Sequence, residues 1–272
     1  MAHLRIFSYL PNPRVWKATI AARFCGVEVD VRGAPAKELK DWLWDYDARP
    51  LTREEDERPS LRRIGRVGMK GARLFKTDAF LEAHPFGSVP AAFGQDGTVG
   101  VFESNSIMRA VARLGEHRFP LYGRDIHEAS RIDSFLDVSL VFARDTQIYL
   151  LSLSDGTVDH AIQDRAKEAF AIYASGIEQA LSTGREFLVG GGVSLADICF
   201  ATELALFNNE HPRAQRLKER GLDRILHPKV HEEYPRMSRH FARLVEHEKF
   251  KPDLEPYLSK LSAAADARSS PV

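Results

Sequence analysis

The sequence predicts an α/β domain followed by an all-α domain. Residues 4–31 read as strand, helix and strand, and residues 89–113 add two strands and a helix. Beyond a linker at 115–123, apolar residues recur at helical spacing. The opening unit implies parallel strands and the later hairpin implies antiparallel ones, so the sheet should be mixed. The expected boundaries are 1–115 for the first domain, 121–256 for the second and 257–272 for a polar tail.

Each element of the first domain has a local signal. The first strand stops at Pro11 and Pro13, and the first helix ends before Gly26, a residue type that commonly terminates helices in the left-handed conformation. The sequence at 95–97, Gln-Asp-Gly, is typical of a hairpin turn. The predicted strands are 4–10, 27–31, 89–93 and 99–102, and the predicted helices are 15–25, 77–83 and 104–113.

A long polar segment separates the two halves of this domain, and we treat residues 36–78 as an insertion. It carries an acidic block at 54–57 and then a basic run from Arg58 to Lys76. Connections of this length are uncommon inside compact domains and are often functional or disordered. One interpretation is a lid or a patch for an acidic ligand. The other is a solvated surface insertion, since charge runs usually face water.

The second domain is predicted to consist of four long helices. Its best-defined helix start lies at Ser194, where Ser194 and Asp197 have the spacing of a capping box, and Val193 and Ile198 that of a hydrophobic staple. This motif stabilises a helix and carries no chemistry. The small polar residues from Ser259 onward predict a frayed or disordered tail. The predicted helices are 125–153, 158–181, 194–207 and 229–246.

Composition argues against several classes of function. Lys+Arg and Asp+Glu both number 38, so the chain has no net charge with which to attract nucleic acid or an anionic membrane. No apolar run is long enough to cross a bilayer, and the N-terminus has no apolar signal core. Cys25 and Cys199 are expected to be buried free thiols in a reducing, cytoplasmic compartment. His227 and His231 have no evident third ligand, so no metal site is predicted.

Three motifs, in order, are similar to those of the glutathione transferase superfamily. They are GSVP at 87–90 before a strand, FESNSI at 102–107 before a helix, and VSLADI at 193–198 before an apolar helix. The resemblance covers residues 4–256 and implies a thioredoxin-like first domain that binds glutathione, followed by the helical domain. Within the superfamily, the chain most resembles the transferase-like domain of elongation factor 1 gamma, and the insertion at 36–78 departs from that pattern.

The first two motifs contain the binding residues that the resemblance implies. A cis peptide bond before Pro90 would turn the N–H and C=O of Val89 toward the cysteinyl backbone of glutathione, in the manner of an added strand. Ser104, at a helix N-terminus, would hold the γ-glutamyl carboxylate, and Glu103 would pair with the γ-glutamyl ammonium. Alternatively, Pro90 only starts an edge strand and Ser104 only caps its helix.

The resemblance also implies a hydrogen-bond donor for the glutathione thiolate just after the first strand. Counting back from Gly26 places Asn12 there, with Ser8 and Tyr9 as nearby alternatives. The Asn12 amide is a donor, although an Asn beside Pro13 is equally typical of an Asx turn or a helix N-cap. Lowering a thiol pKa by ~2 units requires ~2.7 kcal/mol, and one hydrogen bond to a charged group supplies about 1.5–3 kcal/mol.

The glycine carboxylate of glutathione needs a cation. Lys76 and Arg73 are candidates because they precede the strand that starts at Val89. Trp16 and Lys17 are also close in sequence, with the surface and core of a helix as their alternative role.

The resemblance implies an enzyme that activates glutathione as a thiolate for attack on a small hydrophobic electrophile bound between the domains. Candidate lining residues are Phe135, Val138, Phe142 and Arg144. The resemblance also implies a homodimer. The alternative is a non-catalytic interaction module of the elongation factor 1 gamma type. A third possibility, an acidic-ligand or nucleic-acid binder that uses residues 58–76, would lose binding steeply as salt is added.

Overall fold

The structure, a computed structural model, describes residues 3–65, 69–115 and 119–269. The chain divides between Phe119 and Pro120 into two units. The first unit is α/β, and the described residues of the second form only helices and their connections, as the sequence predicts. Three parts of the chain for which the sequence makes predictions lie outside the described residues. They are residues 66–68 of the predicted insertion, which include Arg66, residues 116–118 of the predicted linker and residues 270–272 of the predicted tail.

The first unit begins with a strand, a helix and a strand, and ends with a hairpin and a helix. Its first helix starts after Asn12 and ends at Gly26, which has the left-handed conformation (φ 63°) expected of a C-cap. The strands are β1 (Leu4–Tyr9), β2 (Val29–Ala34), β3 (Trp42–Trp44), β4 (Arg49–Pro50), β5 (Arg62–Ile64), β6 (Arg73–Lys76), β7 (Ala91–Phe93) and β8 (Gly100–Phe102). The helices are α1 (Pro13–Cys25), α2 (Arg53–Asp56), α3 (Asp78–Ala83) and α4 (Ser104–Leu114).

Four of these strands form the predicted mixed sheet. Their order is β2-β1-β7-β8, with β1 and β2 parallel and the other two pairs antiparallel. Helix α1 connects the parallel pair and packs against α4. The strands bury apolar side chains, among them Ile6, Phe7 and Phe93, so the sheet forms part of the core.

The segment interpreted as a lid or a solvated surface insertion folds into a second sheet, and its apolar side chains join the core of the first unit. The strand order is β4-β3-β6-β5, and β3 pairs with β6 in parallel. Trp44 is buried and lies edge-on to Phe7 and Phe80, with ring centroids 5.3 and 6.0 Å apart. The indole N–H of Trp44 donates to the Leu39 carbonyl at 2.9 Å. Burial of these apolar side chains, which charged neighbours mask in the sequence, drives the segment onto the core.

The charged residues of the segment do stay at its surface, as charge runs usually do. Arg49 forms a two-pronged ion pair with Glu55, at 2.7 and 2.8 Å. Arg58 pairs with Glu54, and Arg63 pairs with Asp78 at 2.9 Å. Two arginines of the basic run, Arg58 and Arg63, are therefore paired with carboxylates.

The second unit is a helical assembly. Its helices are α5 (Ile126–Asp155), α6 (His160–Ala180), α7 (Leu195–Phe207), α8 (Ala214–Glu219), α9 (Val230–Glu233), α10 (Pro235–Glu246) and α11 (Lys251–Ser269). The predicted capping box at the start of α7 forms, and the Asp197 carboxylate accepts from the Ser194 N–H at 2.9 Å. No described helix is both long enough and apolar enough to span a membrane.

Two predictions for the end of the chain are wrong. The expected helix at 229–246 is two helices, because Pro235 lacks the N–H that a continuous helix needs and instead starts α10. The expected disordered tail from Ser259 is helical as far as Ser269. Apolar contacts anchor the start of α11, since Leu254 is buried, and Tyr257 hydrogen-bonds to Asn209.

Candidate functional site

Three segments of the first unit meet at one end of the mixed sheet. Phe7 of β1 lies opposite Ala91 of β7, which lies opposite Phe102 of β8. Both pairs are antiparallel, so the C-terminal ends of β1 and β8 flank the start of β7. Neighbouring strands lie about 4.8 Å apart. The register therefore brings Val89–Pro90 and Glu103–Ser104 together beside the end of β1.

Asn12 is the N-cap of α1. Its Oδ1 accepts from the Arg14 N–H at 3.0 Å, and its backbone is extended (φ −140°, ψ 109°). Its Nδ2 donates to Ser8 Oγ, also at 3.0 Å. Asn12 and Ser8 are 1% and 0% exposed, whereas Tyr9 is half-buried. The N-cap alternative for Asn12 is therefore confirmed, and its amide donor points to the end of β1, where Ser8 lies.

The Val89–Pro90 peptide bond is cis, as the resemblance implies. Val89 and Pro90 are half-buried, so the backbone before β7 is partly accessible. Lys76, predicted to hold the glycine carboxylate, is buried. Its ammonium donates to the Gly87 carbonyl at 2.6 Å and lies 4.7 Å from the centre of a Trp44 ring. Lys76 thus supports the segment that leads into Val89.

Glu103 and Ser104 form the junction between β8 and α4. Glu103 is exposed and has φ 65°, the only positive φ outside glycine among the described residues. Such strain tends to occur at functional sites. Ser104 is the first residue of α4, where backbone N–H groups have no helical partner and the helix dipole is positive. This junction has the local electrostatics of an anion site.

Lys17 of α1 reaches the same junction. Its side chain is buried, and its ammonium donates to Ser104 Oγ at 3.3 Å and to Asn105 Oδ1 at 2.8 Å. Sequence reasoning considered Lys17 only for the glycine carboxylate, but the structure puts its ammonium at the start of α4. Its position on the apolar face of α1, three residues before Ile20, is the signal that identifies it as a buried lysine.

His84, between α3 and the GSVP segment, is a buried residue that the sequence did not single out. Its ring stacks on Phe102 at 4.9 Å and on Phe80 at 5.8 Å. Neither ring nitrogen has a hydrogen-bond partner among the described residues. Burial, and to a smaller extent the nearby ammonium of Lys76, lowers the pKa of His84. The ring is therefore neutral at physiological pH.

The second unit contains a cavity of 440 Å³ between α5 and α6. Phe135 and Val138, two of the residues predicted to line an electrophile site, lie on its wall together with Arg131. Phe142 lies instead in the core, where it stacks on Tyr173 with 4.5 Å between ring centroids. Arg144 pairs with Asp145. Phe142 is therefore held by packing within the unit, and Arg144 by charge pairing.

The two histidines weighed as metal ligands have other contacts. Across residues 3–65, 69–115 and 119–269, no group of three or more His, Cys, Asp or Glu has the proximity to hold a metal ion. His227 pairs with Glu233 at 3.2 Å, and His231 contacts the Pro228 carbonyl. Cys25 and Cys199 are buried free thiols, as predicted.

Comparison with known proteins points to one superfamily. Residues 132–248 match the family "Glutathione S-transferase, C-terminal domain". A glutathione S-transferase-like protein from Fusarium is 26% identical, over 74% of this chain and 75% of its own. A probable elongation factor 1-gamma from Arabidopsis thaliana is 26% identical, over 91% of this chain and 48% of its own. This chain thus spans about half the length of that elongation factor relative.

Solved structures share the fold. A glutathione S-transferase from Methylobacillus flagellatus with glutathione bound has a TM-score of 0.58 to this chain, with 17% identity over 92% of this chain and 98% of its own. At this identity the likeness concerns the fold alone. It agrees with the sheet order and the helical second unit described above.

Proposed function

We propose that this chain, which belongs to the glutathione transferase superfamily, binds glutathione and activates its thiol for attack on a small hydrophobic electrophile. The observation that carries the proposal is the meeting of Val89–Pro90, Glu103–Ser104 and the end of β1 at one end of the sheet. A backbone edge, an anion-binding helix start and buried hydrogen-bond donors are then within reach of one tripeptide.

Each part of glutathione has a proposed partner. The start of α4 and the Ser104 hydroxyl hold the γ-glutamyl carboxylate, and Glu103 pairs with the γ-glutamyl ammonium. The N–H and C=O of Val89 pair with the cysteinyl backbone, as an added strand would. For the glycine carboxylate we retain Lys76, whose ammonium already lies on the Gly87 carbonyl. A carboxylate there would compete with that carbonyl for the same donors.

We assign the stabilisation of the glutathione thiolate to Ser8 and Asn12. An amide carries two N–H groups, and one of those on Asn12 goes to Ser8 Oγ. The second N–H, and the proton of the Ser8 hydroxyl, are the donors proposed for the sulfur. The N-terminus of α1 adds a positive dipole end at the same place. Tyr9, which follows Ser8 and is half-buried, is the competing donor.

Asn12→Asp is the sharpest test of this assignment. The aspartate keeps the oxygen that caps α1 but loses the amide donor and adds a negative charge. We expect kcat/KM with glutathione and a generic aromatic electrophile to fall 10- to 100-fold, the equivalent of the about 1.5–3 kcal/mol that a hydrogen bond to a charged group is worth. The thiol pKa of bound glutathione, followed by the ultraviolet absorbance of the thiolate, should rise.

Tyr9→Phe serves as the matched control, because it removes one hydroxyl and leaves the ring. It should leave kcat/KM and the thiol pKa unchanged. If Tyr9→Phe lowers activity while Asn12→Asp and Ser8→Ala do not, the thiolate donor is Tyr9. If none of the three variants changes a measurable activity, the proposed thiolate site is wrong.

The second candidate function is a non-catalytic interaction module of the elongation factor 1 gamma type. The match to a probable elongation factor 1-gamma over 91% of this chain favours it. A module of this kind would be retained weakly on immobilised glutathione and would not turn over any electrophile. Retention together with turnover would favour the transferase.

A homodimer remains a proposal, as does a cytoplasmic location. Exposed apolar side chains on α5 and α6, among them Val138 (50% exposed), Val141 (57%) and Ile172 (64%), provide surface that association would cover. Light scattering coupled to size exclusion would give the mass in solution. A mass of 30.6 kDa, that of one chain, would contradict the dimer.

A further inference from the structure

The cavity between α5 and α6 has the size and the wall of a small-molecule site. Its volume is 440 Å³, and ligand pockets commonly measure about 300–1,000 Å³. Its apolar wall includes Phe135 and Val138 of α5 and Ile172 and Ile177 of α6. Val138 and Ile172 are 50% and 64% exposed, so the cavity opens to the surface. None of these residues has a part in the proposed glutathione site.

The cavity wall carries positive charge and no carboxylate. Arg131 and Arg185 line it, and none of its thirteen lining residues is Asp or Glu. Within the described part of the chain, neither arginine forms an ion pair with a carboxylate. Glu186, next to Arg185, pairs with Arg243 instead, at 3.6 Å. The Arg131 guanidinium lies 5.1 Å from the centre of the Phe135 ring, which places its charge beside the apolar wall.

Gly176, also on the cavity wall, is a glycine in the interior of α6 that no local requirement explains. Its φ is not positive, and a Cβ there would meet no neighbouring atom within 4 Å. Glycine in a helix interior is destabilising relative to alanine. A residue that breaks a local rule without a structural gain is expected at a functional site. Here the missing side chain leaves the cavity open.

We propose that this cavity binds a medium-chain carboxylate, with the alkyl chain against the apolar wall and the carboxylate at Arg131 and Arg185. Burial of the alkyl chain drives binding, and the arginines select the charged end group. No acidic side chain on the wall competes for them. The cavity shares no residue with the proposed glutathione site, so binding does not require glutathione.

Association of two copies of the chain is the competing role for this face. Val138 and Ile172 belong to the apolar surface that a dimer would cover. A surface shaped only for apolar contact would not distinguish a charged ligand from a neutral one with the same alkyl chain. Selection for the charged ligand therefore separates the two roles.

The experiment compares decanoate with 1-decanol, which has the same number of carbons and no charge. Calorimetry on the full chain, at neutral pH and without glutathione, gives both affinities. We expect decanoate to bind about tenfold more tightly, the combined effect of two exposed ion pairs. Arg131→Met and Arg185→Met should each weaken decanoate about two- to fivefold and leave 1-decanol unchanged. Arg165→Met is the matched control, because Arg165 lies on α6, pairs with Asp145 and is not on the wall.

Gly176→Phe tests the cavity itself, because the added ring fills space that no neighbouring atom occupies. It should weaken decanoate and 1-decanol alike, by at least about tenfold, since the alkyl chain loses its apolar pocket. Ala161→Phe, at an exposed alanine of α6 outside the wall, should change neither affinity. Gly176→Leu replaces Gly176→Phe if circular dichroism shows that the larger residue prevents folding.

Three outcomes overturn the proposal. Unchanged affinities in the folded Gly176 variant would place the ligand elsewhere. Equal affinities of the wild-type chain for decanoate and 1-decanol would remove the role of the arginines. Absence of saturable decanoate binding, together with a dimeric mass in solution, would assign the face to association of two copies. None of these outcomes bears on glutathione binding, which is measured separately.

Discussion

At the scale of single residues, the main feature of this protein is a set of buried polar side chains that form hydrogen bonds. Asn12 and Lys17 hold donors at one end of the first sheet, and Asp197 holds the start of α7. Each polar group has partners, as burial requires, because an unpartnered buried donor or acceptor costs about 1–3 kcal/mol. The first two residues belong to the proposed site, whereas Asp197 has only a structural role.

Asp197 gives the prediction at this scale. Its carboxylate accepts from the backbone N–H of Leu188 at 3.0 Å and Ser194 at 2.9 Å, and lies 2.8 Å from His240 Nε2. Asp197→Ala leaves these groups buried without an acceptor. We expect the free energy of unfolding to fall by about 3–5 kcal/mol in urea titrations followed by circular dichroism.

Asp164→Ala is the control for this measurement, since Asp164 is exposed on α6. A surface substitution of this kind should change the free energy of unfolding by no more than about 0.5 kcal/mol. A loss of less than about 1 kcal/mol for Asp197→Ala would contradict the structural importance of the capping box.

At the scale of elements, the pairing of β1 with β2 sets the position of the site. The parallel register puts Ser8 opposite Gly33. A Cβ atom at Gly33 would overlap the Ser8 carbonyl oxygen. Only glycine lets β2 approach the end of β1 this closely, so Gly33 determines where Ser8 and the following Asn12 lie.

Gly33→Ala should therefore displace the end of β1. We expect a loss of about 1–3 kcal/mol in the free energy of unfolding, typical of overpacking, and a parallel fall in kcat/KM with glutathione. Gly192→Ala is the control, because a Cβ at Gly192 would meet no atom within 4 Å. Equal stability and activity of the two variants would show that the strand ends accommodate a methyl group.

At the scale of the whole molecule, one buried and two half-buried histidines limit stability in acid. Burial lowers the pKa of His84, His211 and His247. The unfolded chain binds a proton at each of them near pH 6.5, whereas the folded chain resists protonation. A lowered folded pKa means that stability is fully present above pH ~6.5 and is lost as the pH falls below it.

His84→Phe tests the contribution of the first of these residues. The phenyl ring keeps the stack between Phe80 and Phe102 but cannot take a proton. Between pH ~6.5 and ~5, the variant should lose about 1–2 kcal/mol less stability than the wild type, since one group contributes up to about 1.4 kcal/mol per pH unit. His160→Gln, at an exposed histidine, should leave the profile unchanged. Identical pH profiles for His84→Phe and the wild type would refute this contribution.

The local sequence was sufficient for the features that depend on near neighbours. The strand and helix starts, the Gly26 cap, the capping box at Ser194 and Asp197, and the motif at Glu103 and Ser104 all rest on residues within a few positions of one another. The periodic spacing of apolar residues and the residues that cap helices both follow directly from backbone geometry and hydrogen bonding, so both can be recognised in a single sequence. The α/β unit followed by a helical unit could therefore be predicted.

Contacts between distant residues were decided only by the tertiary structure. Trp44 and Leu39 look like part of a charged segment, yet they are buried against Phe7 and turn that segment into a second sheet. Lys17 lies 87 positions from Ser104, and no local pattern places its ammonium on that hydroxyl. Burial and long-range hydrogen bonding depend on which elements pack together, which is a property of the folded chain and not of any short stretch of it.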